Sequence, residues 1–496
     1  MDNLIKKIEK IQEEYLVNKE KNILKKKSQF FTPYDIAYRM VNTINFDEFR
    51  KIDKLYILEP AAGCGILIAV LIKEILCKVD NIREIYVDAY ENDEEIINLL
   101  RNNLRNLQVK VEESNVSFKY KVIGNNFIVS NKNKWSNNKK DISKYDIIIS
   151  NPPYKKINQK SHEAKIMNDI VHGQPNLYTL FIAMSLKLLK YNGTYIVLSP
   201  RNYLTGEYSK KIRNYIFELS SLTHINSFEN RNIFLTVNQE VIISTYKKKK
   251  DIKYIDISYN NNKEFVVEFD NIVIDRESMS IIVPKNKEDI VMLNSFNKFG
   301  YSLNDLGFKV NVGPIVQFRH KNFLSRDIYN DDYAPMVIGN DIQGNNKIIY
   351  YTRENKRKTH HKSISIESKK LIDNGNYLLL RKVSAKDDKS IITCAILENT
   401  YFKHSLIGLD NNLLYFLRAD NSFLSIEECF GLYCIINSNQ FSNIYSIING
   451  THTINVTDFS KIKFPSYEKI ISMGRELINI KQYNKEICSN LFNKYI

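Results

Sequence analysis

The sequence lacks several patterns that would assign it to a simple class of protein. Its six cysteines are scattered, and none forms a C-x-x-C pair with a second pair or with histidines at zinc-ligand spacing, so we expect no metal site. The charged N-terminus lacks the apolar segment of a signal peptide. No apolar run approaches the length needed to cross a membrane. We therefore expect a reduced, soluble, cytoplasmic protein that has no membrane partner.

Negative charge is also scarce. The 71 lysines and arginines outnumber the 56 aspartates and glutamates, which leaves a formal net charge of +15. A basic balance on a chain of this size favours a polyanionic partner, usually a nucleic acid. The many Lys, Asn, Ile and Tyr residues would also follow from an AT-rich coding sequence, so charge by itself does not decide the question.

The length and the order of segments predict at least two domains. A chain of 496 residues exceeds what one ordinary core supports. After a charged helical lead over residues 1–27, strand-like and helix-like segments alternate from Leu55 onward. This alternation predicts a parallel sheet with helices on both faces, which is an α/β fold. Short mixed segments follow the lysine run at 247–250, so we predict domains over residues 1–250 and 251–496.

A glycine turn follows the first predicted strand in the segment LEPAAGCGI. Gly63 and Gly65 allow the backbone to turn tightly and to approach a ligand. Glu91 ends the second predicted strand, where an acid is well placed to bind two ribose hydroxyls. The full G-x-G-x-x-G pattern and the lysine of a P-loop are absent, so the ligand need not carry a pyrophosphate. A plain strand-to-helix turn with a solvated acid remains the alternative at this point.

The segment DIIISNPPYKK raises a different question, because a buried strand ends there in an amide, two prolines and an aromatic ring. Prolines cannot continue a strand ladder, and they fix the backbone. Asn151 and Tyr154 would then be presented rigidly at the edge of the sheet, an arrangement suited to gripping a flat, hydrogen-bonding group. The alternative is a rigid loop that performs no chemistry.

Taken in order, these segments resemble the N6-adenine DNA methyltransferases in the arrangement called gamma. That family carries F-x-T-P, then E-P-x-x-G-x-G, then N-P-P-Y, and then a target-recognition domain. Here the corresponding residues are Phe31 to Pro33, Glu59 to Gly65, Asn151 to Tyr154, and the region after Lys250. The resemblance implies a Rossmann-like doubly wound sheet with a C-terminal mixed α+β target-recognition domain. It also implies S-adenosylmethionine as the cofactor, duplex DNA as the partner, and a role as the modification enzyme of a restriction-modification system.

The resemblance also implies roles for individual residues. The oxygens of the Asn151 side chain and of the Pro152 carbonyl would accept the two hydrogens of the adenine amino group, while Tyr154 would stack on a base flipped out of the duplex. Phe234 resembles a second aromatic residue against that base. The expected cofactor-binding residues are Thr32, Pro33, Glu59, Ala61, Gly63, Gly65, Glu91, Asn126, Phe127 and Phe181.

One position departs from the family pattern. The family usually has an acid before the phenylalanine of its third cofactor segment, and that acid accepts a hydrogen bond from the amino group of the cofactor adenine. This chain has Asn126 before Phe127. An amide oxygen can still accept the hydrogen bond, but without a charge.

Other functions remain open from the sequence. An N-P-P-Y segment with a glycine turn also occurs in methyltransferases that act on RNA bases or on a protein glutamine, although these need no long second half. A fused restriction enzyme would need a nuclease segment, for which the N-terminal lead is too short. A non-catalytic DNA-binding subunit would have no use for both motifs. We expect a monomer, and leave open whether a separate cognate restriction endonuclease exists.

Overall fold

The structure is a computed structural model of the chain. It describes residues 1–19, 30–137, 142–228, 240–250, 252–260, 264–326, 330–350, 361–383, 392–449 and 453–496. The chain divides into two compact units, Met1–Lys287 and Glu288–Ile496. The compact N-terminal unit therefore continues beyond the predicted boundary at residue 250, and the separate functions predicted for the two halves stay predictions. Among the described residues, no helix combines the length and apolar content needed to cross a membrane.

Unit 1 is built on a nine-stranded sheet. Its strands are β1 (Lys54–Glu59), β2 (Glu84–Tyr90), β3 (Ser117–Ile123), β4 (Tyr145–Ser150), β5 (Leu189–Pro200), β6 (Ser221–Ser227), β7 (Val241–Lys247), β8 (Tyr254–Tyr259) and β9 (Phe265–Glu268). They lie in the order β3-β2-β1-β4-β5-β7-β6-β8-β9. A separate antiparallel pair joins β10 (Val273–Asp275) to β11 (Ser280–Ile281).

The first five strands of this sheet are mutually parallel. Their central members are apolar runs, as expected for strands that are covered on both faces. In β4, for example, Ile147, Ile148 and Ile149 are fully buried. Strand β7 inserts between β5 and β6 and is antiparallel to both. The predicted α/β, Rossmann-like sheet is confirmed.

Helices cover this sheet and connect its strands. Those of unit 1 are α1 (Asp2–Val17), α2 (Tyr34–Asn42), α3 (Ile66–Lys78), α4 (Glu94–Glu112), α5 (Phe127–Ser130), α6 (Lys132–Trp135), α7 (His162–Ile166), α8 (Leu177–Leu188) and α9 (Lys210–Leu219). Short 3-10 turns span Phe46–Phe49, Arg201–Leu204, Glu207–Ser209 and Phe269–Ile272. Helix α3 follows the glycine turn and is buried along most of its length, as a helix enclosed between a sheet and other helices must be.

Unit 2 has the mixed α+β composition that was predicted for the second half. Its strands are β12 (Phe308–Val312), β13 (Leu324–Ser325), β14 (Tyr333–Val337), β15 (Ile342–Gln343), β16 (Lys347–Ile348), β17 (Ser363–Ser365), β18 (Ile372–Asp373), β19 (Tyr377–Arg381), β20 (Cys394–Leu397), β21 (Leu406–Leu409) and β22 (Leu413–Arg418). They form a four-stranded, a five-stranded and a two-stranded sheet. Further 3-10 turns span Gln317–Arg319, Lys321–Phe323 and Gly339–Asp341.

Helix α10 (Lys287–Asn297) begins at the last residue of unit 1 and leads into unit 2. The other helices of unit 2 lie toward its C-terminus: α11 (Ile426–Ile436), α12 (Asn439–Ile448), α13 (Val456–Phe459), α14 (Tyr467–Ile480) and α15 (Lys485–Tyr495). Helices α11 and α14 approach each other closely through glycines. A Cβ atom on Gly431 would lie 2.2 Å from the carbonyl oxygen of Ile470, and one on Gly474 would lie 2.0 Å from that of Glu427.

This close approach predicts a large effect of one methyl group. The variant Gly474→Ala should lose at least about 2 kcal/mol of unfolding free energy, because the new methyl group meets backbone that cannot move aside. Gly344→Ala is the matched control, since a Cβ there meets nothing within 4 Å. Urea denaturation of both variants measures the effect. Equal stability of the two variants would contradict the close helix packing described here.

Candidate active site

A cavity of about 750 Å³ in unit 1 opens beside the ends of β1, β2 and β4. In parallel sheets, ligands bind at the carboxyl ends of the strands, where the connecting loops leave a crevice. The residues that line it are Phe30, Phe31, Pro60, Ala61, Gly63, Tyr90, Glu91, Asn92, Asp93, Glu94, Glu95, Ile96, Asn125, Asn126, Phe127, Asn151, Pro152, Pro153, Lys155, Leu177 and Phe181. The segments singled out in the sequence therefore meet around one cavity.

The glycine turn and the acid of β2 are joined directly. Gly63 adopts the left-handed conformation with φ +51°, and a Cβ there would lie 3.1 Å from the ring of Phe31. Its N–H donates to Glu91 Oε2 at 3.0 Å. The other carboxylate oxygen of Glu91 accepts from the N–H groups of Asn92 and Asp93. Burial raises the pKa of Glu91, while these backbone N–H groups oppose the rise. Glu91 Oε2 keeps an acceptor position for a ligand.

A second carboxyl group lies beneath the turn. Glu59 ends β1 and is only 1% exposed. Its Oε2 atom is buried without a hydrogen-bond partner. Burial, reinforced by the nearby charge of Glu91, raises the pKa of Glu59 well above its ordinary value. The site thus holds an acid that is costly to ionise and whose hydrogen-bonding capacity is not fully used.

Aromatic rings form one wall of the cavity. The Phe127 ring lies 5.1 Å from the Phe181 ring and 5.1 Å from that of Tyr90, measured between centroids. All three side chains are largely buried. Such a wall can pack against a flat apolar ring system, while the amide of Asn126 at the start of α5 supplies a polar group beside it.

The side chain of Asn151 is held by three residues. Its amide nitrogen donates to the Phe30 carbonyl oxygen at 2.9 Å and to Thr32 Oγ1 at 3.1 Å. Its oxygen accepts from the Tyr154 hydroxyl at 2.8 Å. Both amide hydrogens are therefore used within the protein, and the oxygen retains one acceptor position. At the cavity wall, Asn151 can offer a ligand an acceptor but no donor.

The N-terminal helix supports this arrangement from behind. In α1, Gln12 donates to the Thr32 carbonyl oxygen at 3.2 Å, and Glu9 accepts from the backbone N–H of Tyr34 at 2.8 Å. Pro33 lies between these two contacts and precedes the first residue of α2. The helical lead therefore fixes the segment that holds Asn151, a role that the sequence did not reveal because these contacts join distant residues.

Tyr154 contacts the site through both its hydroxyl and its ring. The hydroxyl also lies 3.1 Å from the carbonyl oxygen of Leu198. The ring stacks with Phe30 at 5.9 Å and meets Tyr178 edge-on at 5.9 Å. Burial raises the pKa of Tyr154 well above its ordinary value, so the hydroxyl stays protonated and able to donate to Asn151 throughout the neutral range.

The predicted site residues thus divide into two groups. Those at the cavity wall are Ala61, Gly63, Glu91, Asn126, Phe127, Asn151, Pro152 and Phe181. The other predicted residues, Thr32, Pro33, Glu59, Gly65 and Tyr154, do not line the cavity. Of these, Thr32 and Tyr154 hydrogen-bond to the Asn151 side chain and hold it at the wall. Phe234 lies outside the described residues. Phe30, Tyr90 and Lys155 line the cavity without having been predicted, because isolated aromatic and lysine residues give no specific signal in a sequence.

Known proteins place this cavity in context. Residues 66–234 match the sequence family described as Eco57I restriction-modification methylase. The chain is 28% identical over 491 residues to the type II methyltransferase M.BsuBI of Bacillus subtilis, which covers 95% of this chain and 94% of that protein. This chain is a relative of the restriction-modification methyltransferases. It is also 25% identical to M.PstI of Providencia stuartii, over 92% of this chain and 90% of that one.

A solved structure supports the fold of this methyltransferase relative. It is a nuclease-deletion mutant of the type ISP restriction-modification enzyme LlaGI, in complex with a DNA substrate mimic. The likeness covers 91% of this chain and 55% of the LlaGI chain, with a TM-score of 0.50 and 13% identity. At this identity the likeness bears on the fold alone.

The buried acid Glu59 predicts a dependence of stability on pH. Because folding raises its pKa above the ordinary 4.5, its favourable contribution is complete below that value and is lost as the pH rises through the folded-state pKa. Glu59→Gln removes this titration, so the stability of the variant relative to wild type should increase between about pH 5 and pH 8. Urea denaturation across that range measures the difference. A difference that does not change with pH would show that Glu59 titrates normally.

Proposed function

We propose that this methyltransferase relative transfers a methyl group from S-adenosylmethionine to N6 of an adenine in duplex DNA, as the modification enzyme of a restriction-modification system. The observation that carries the proposal is the hydrogen bonding of Asn151, whose donors are used within the protein and whose oxygen is left at the cavity wall. An acceptor fixed in this way is suited to an amino group, which is what adenine presents at N6.

The cavity residues fit the cofactor. The Glu91 carboxylate would accept from ribose hydroxyls, the glycine turn would admit the cofactor close to the backbone, and the rings of Phe127 and Phe181 would pack against its adenine. The Oε2 atom of Glu59, which is buried without a hydrogen-bond partner, could also take part in a hydrogen bond in the same region. When bound, the cofactor would supply a methyl group on a positively charged sulfur.

The residues of N-P-P-Y would act on the adenine amino group. That nitrogen is a poor nucleophile, because its lone pair is delocalised into the ring. The oxygens of Asn151 and of Pro152 would each accept one of its hydrogens and so favour a pyramidal nitrogen with a more available lone pair. The nitrogen would accept the methyl group as the carbon–sulfur bond breaks, and would then release one proton to solvent. Orientation of the two reactants supplies much of the rate acceleration.

We assign DNA recognition to unit 2, on the basis of an exposed arginine–aromatic pair. The Phe318 side chain is 69% exposed, and the Arg319 guanidinium lies 5.4 Å from the centre of its ring. Neighbouring Gln317 is tied at 3.1 Å to Asp410, a carboxylate that is 2% exposed and that also accepts from the backbone of Asn412. Arginine beside an aromatic ring on a fixed turn is a combination that contacts phosphates and bases.

The direct test of the reaction uses cofactor labelled in its methyl group. Wild-type protein is incubated with duplex DNA, RNA and protein, and labelled DNA is digested so that the modified nucleoside can be identified. We expect label in duplex DNA, recovered as N6-methyladenine. Label found only in RNA or protein, or recovered from cytosine, would overturn the proposed function.

Variants of the N-P-P-Y segment should separate binding from chemistry. Asn151→Ala removes the acceptor and should lower the methylation rate by at least about a hundredfold while cofactor and DNA binding persist. Tyr154→Phe keeps the ring but loses the hydroxyl that holds Asn151, so a loss of several-fold is expected. Tyr154→Ala also removes the ring that packs against Phe30 and Tyr178, so Asn151 loses more of its support and the rate should fall further, by about tens to hundreds of fold. Rates are measured at saturating substrate, and a wild-type rate for Asn151→Ala would reduce the motif to a rigid loop.

Unit 2 offers a matched pair for testing DNA binding. Arg319→Ala should weaken binding to duplex DNA by about three- to tenfold. It should also make the plot of log affinity against log salt concentration less steep, by about one in slope. Arg475→Ala on α14, which removes another exposed arginine of unit 2, is the control and should change little. Fluorescence anisotropy at several salt concentrations gives both quantities. Equal effects of the two variants would remove Arg319 from the recognition surface.

A further inference from the structure

The side-chain amide of Asn126, which lines the cavity, has a charged partner from another segment of the chain. Asn126 Nδ2 donates to Glu163 Oε1 at 2.8 Å. Glu163 lies on α7, which follows the N-P-P-Y segment and whose first turn is capped by Ser161. The two residues are 37 positions apart in the chain, so the contact joins the cofactor side of the cavity to the segment that follows the catalytic motif.

The partners of Asn126 determine which way its amide points. Its oxygen accepts from the backbone N–H of Val129 at 3.1 Å, which caps α5. A backbone N–H requires an acceptor, and a carboxylate requires a donor, so only one orientation of the amide satisfies both neighbours. The oxygen therefore keeps one acceptor position, and the negative charge of Glu163 strengthens it by polarising the amide.

We propose that Glu163 is a positioning residue for cofactor recognition, which orients and polarises Asn126 so that the amide oxygen accepts from the amino group of the cofactor adenine. The inference rests on the proposed use of S-adenosylmethionine. Where the resembled family has an acid, this chain has the neutral amide of Asn126. The Glu163 carboxylate, which accepts a hydrogen bond from that amide, restores part of the negative charge on the amide oxygen. Asn126 would touch the cofactor, whereas Glu163 would act through Asn126.

Discrimination between two ligands provides the decisive readout. S-adenosylhomocysteine carries the amino group, and its analogue with hypoxanthine in place of adenine carries a carbonyl oxygen there. Wild-type protein should bind the adenine compound at least about tenfold more tightly. In the analogue, the carbonyl oxygen of hypoxanthine would face the amide oxygen of Asn126, and two acceptors cannot form a hydrogen bond. Glu163→Ala should lower this preference about three- to tenfold, mainly by weakening the adenine compound. Calorimetry on the full chain measures both affinities.

A double-mutant cycle tests whether the Glu163 carboxylate compensates for the neutral amide at position 126. In wild type, Glu163→Gln should weaken binding of S-adenosylhomocysteine modestly, because a neutral oxygen replaces the carboxylate. Asn126→Asp alone would place two carboxylates in contact and should also weaken binding. In the Asn126→Asp background, however, Glu163→Gln should tighten binding, because it removes the repulsion and leaves a donor for the new acid. The same substitution therefore has opposite effects in the two backgrounds.

The controls separate this inference from loss of folding and from the proposed function. Glu113→Ala removes another carboxylate of unit 1, which pairs with Lys110 at the end of α4, and should change neither affinity nor preference. Thermal unfolding establishes that each variant is folded. If wild type binds the adenine compound preferentially but folded Glu163 variants keep both the affinity and the preference, the inference is overturned and the proposed function stands. If wild type binds neither compound, the proposed cofactor fails and the inference fails with it.

Discussion

The candidate site depends on how a single side-chain amide, that of Asn151, is held. The two ends of an amide have nearly the same shape, so its direction is set by its partners rather than by packing. Phe30 and Thr32 take up both hydrogens, and the Tyr154 hydroxyl donates to the oxygen. The acceptor is thus oriented before any substrate arrives, and a group that is already oriented costs no reorganisation during the reaction. Helix α1 contributes by fixing the Thr32 segment through Gln12.

The same principle applies to Asn126, which also lines the cavity and whose amide is oriented by Val129 and Glu163. Both residues line the cavity, and each amide oxygen keeps an acceptor position, in keeping with a proposed reaction in which two different adenine amino groups must be recognised. The charged forms of two nearby carboxyl groups are disfavoured, since burial raises the pKa of both Glu59 and Glu91. Burying such groups costs stability, and the largely buried strands β1 and β4 provide the rigid support that offsets this loss.

Much of the fold could be predicted from the sequence, because parallel strands covered on both faces are short apolar runs and their order follows from the alternation with helices. The meeting of the glycine turn, Glu91 and Asn151 at one cavity follows from the same topology. Contacts such as Gln12 with Thr32 and Asn126 with Glu163 could not be predicted, since side chains distant in the chain leave no pattern when they pair. The extent of unit 1 was also hidden, because β8 and β9 extend its sheet beyond the change in texture at residue 250.

The orientation of the Asn151 amide is the central claim, and hydrogen exchange of that amide tests it most directly. Protein labelled with nitrogen-15 in asparagine gives side-chain signals, and the Asn151 pair is assigned by its absence from Asn151→Ala. In protein without DNA or cofactor, the two Asn151 hydrogens should exchange at least about tenfold more slowly than those of exposed Asn340. Exchange of Asn151 as fast as that of Asn340 would mean that its amide is free to turn, and would contradict the account of a pre-oriented acceptor.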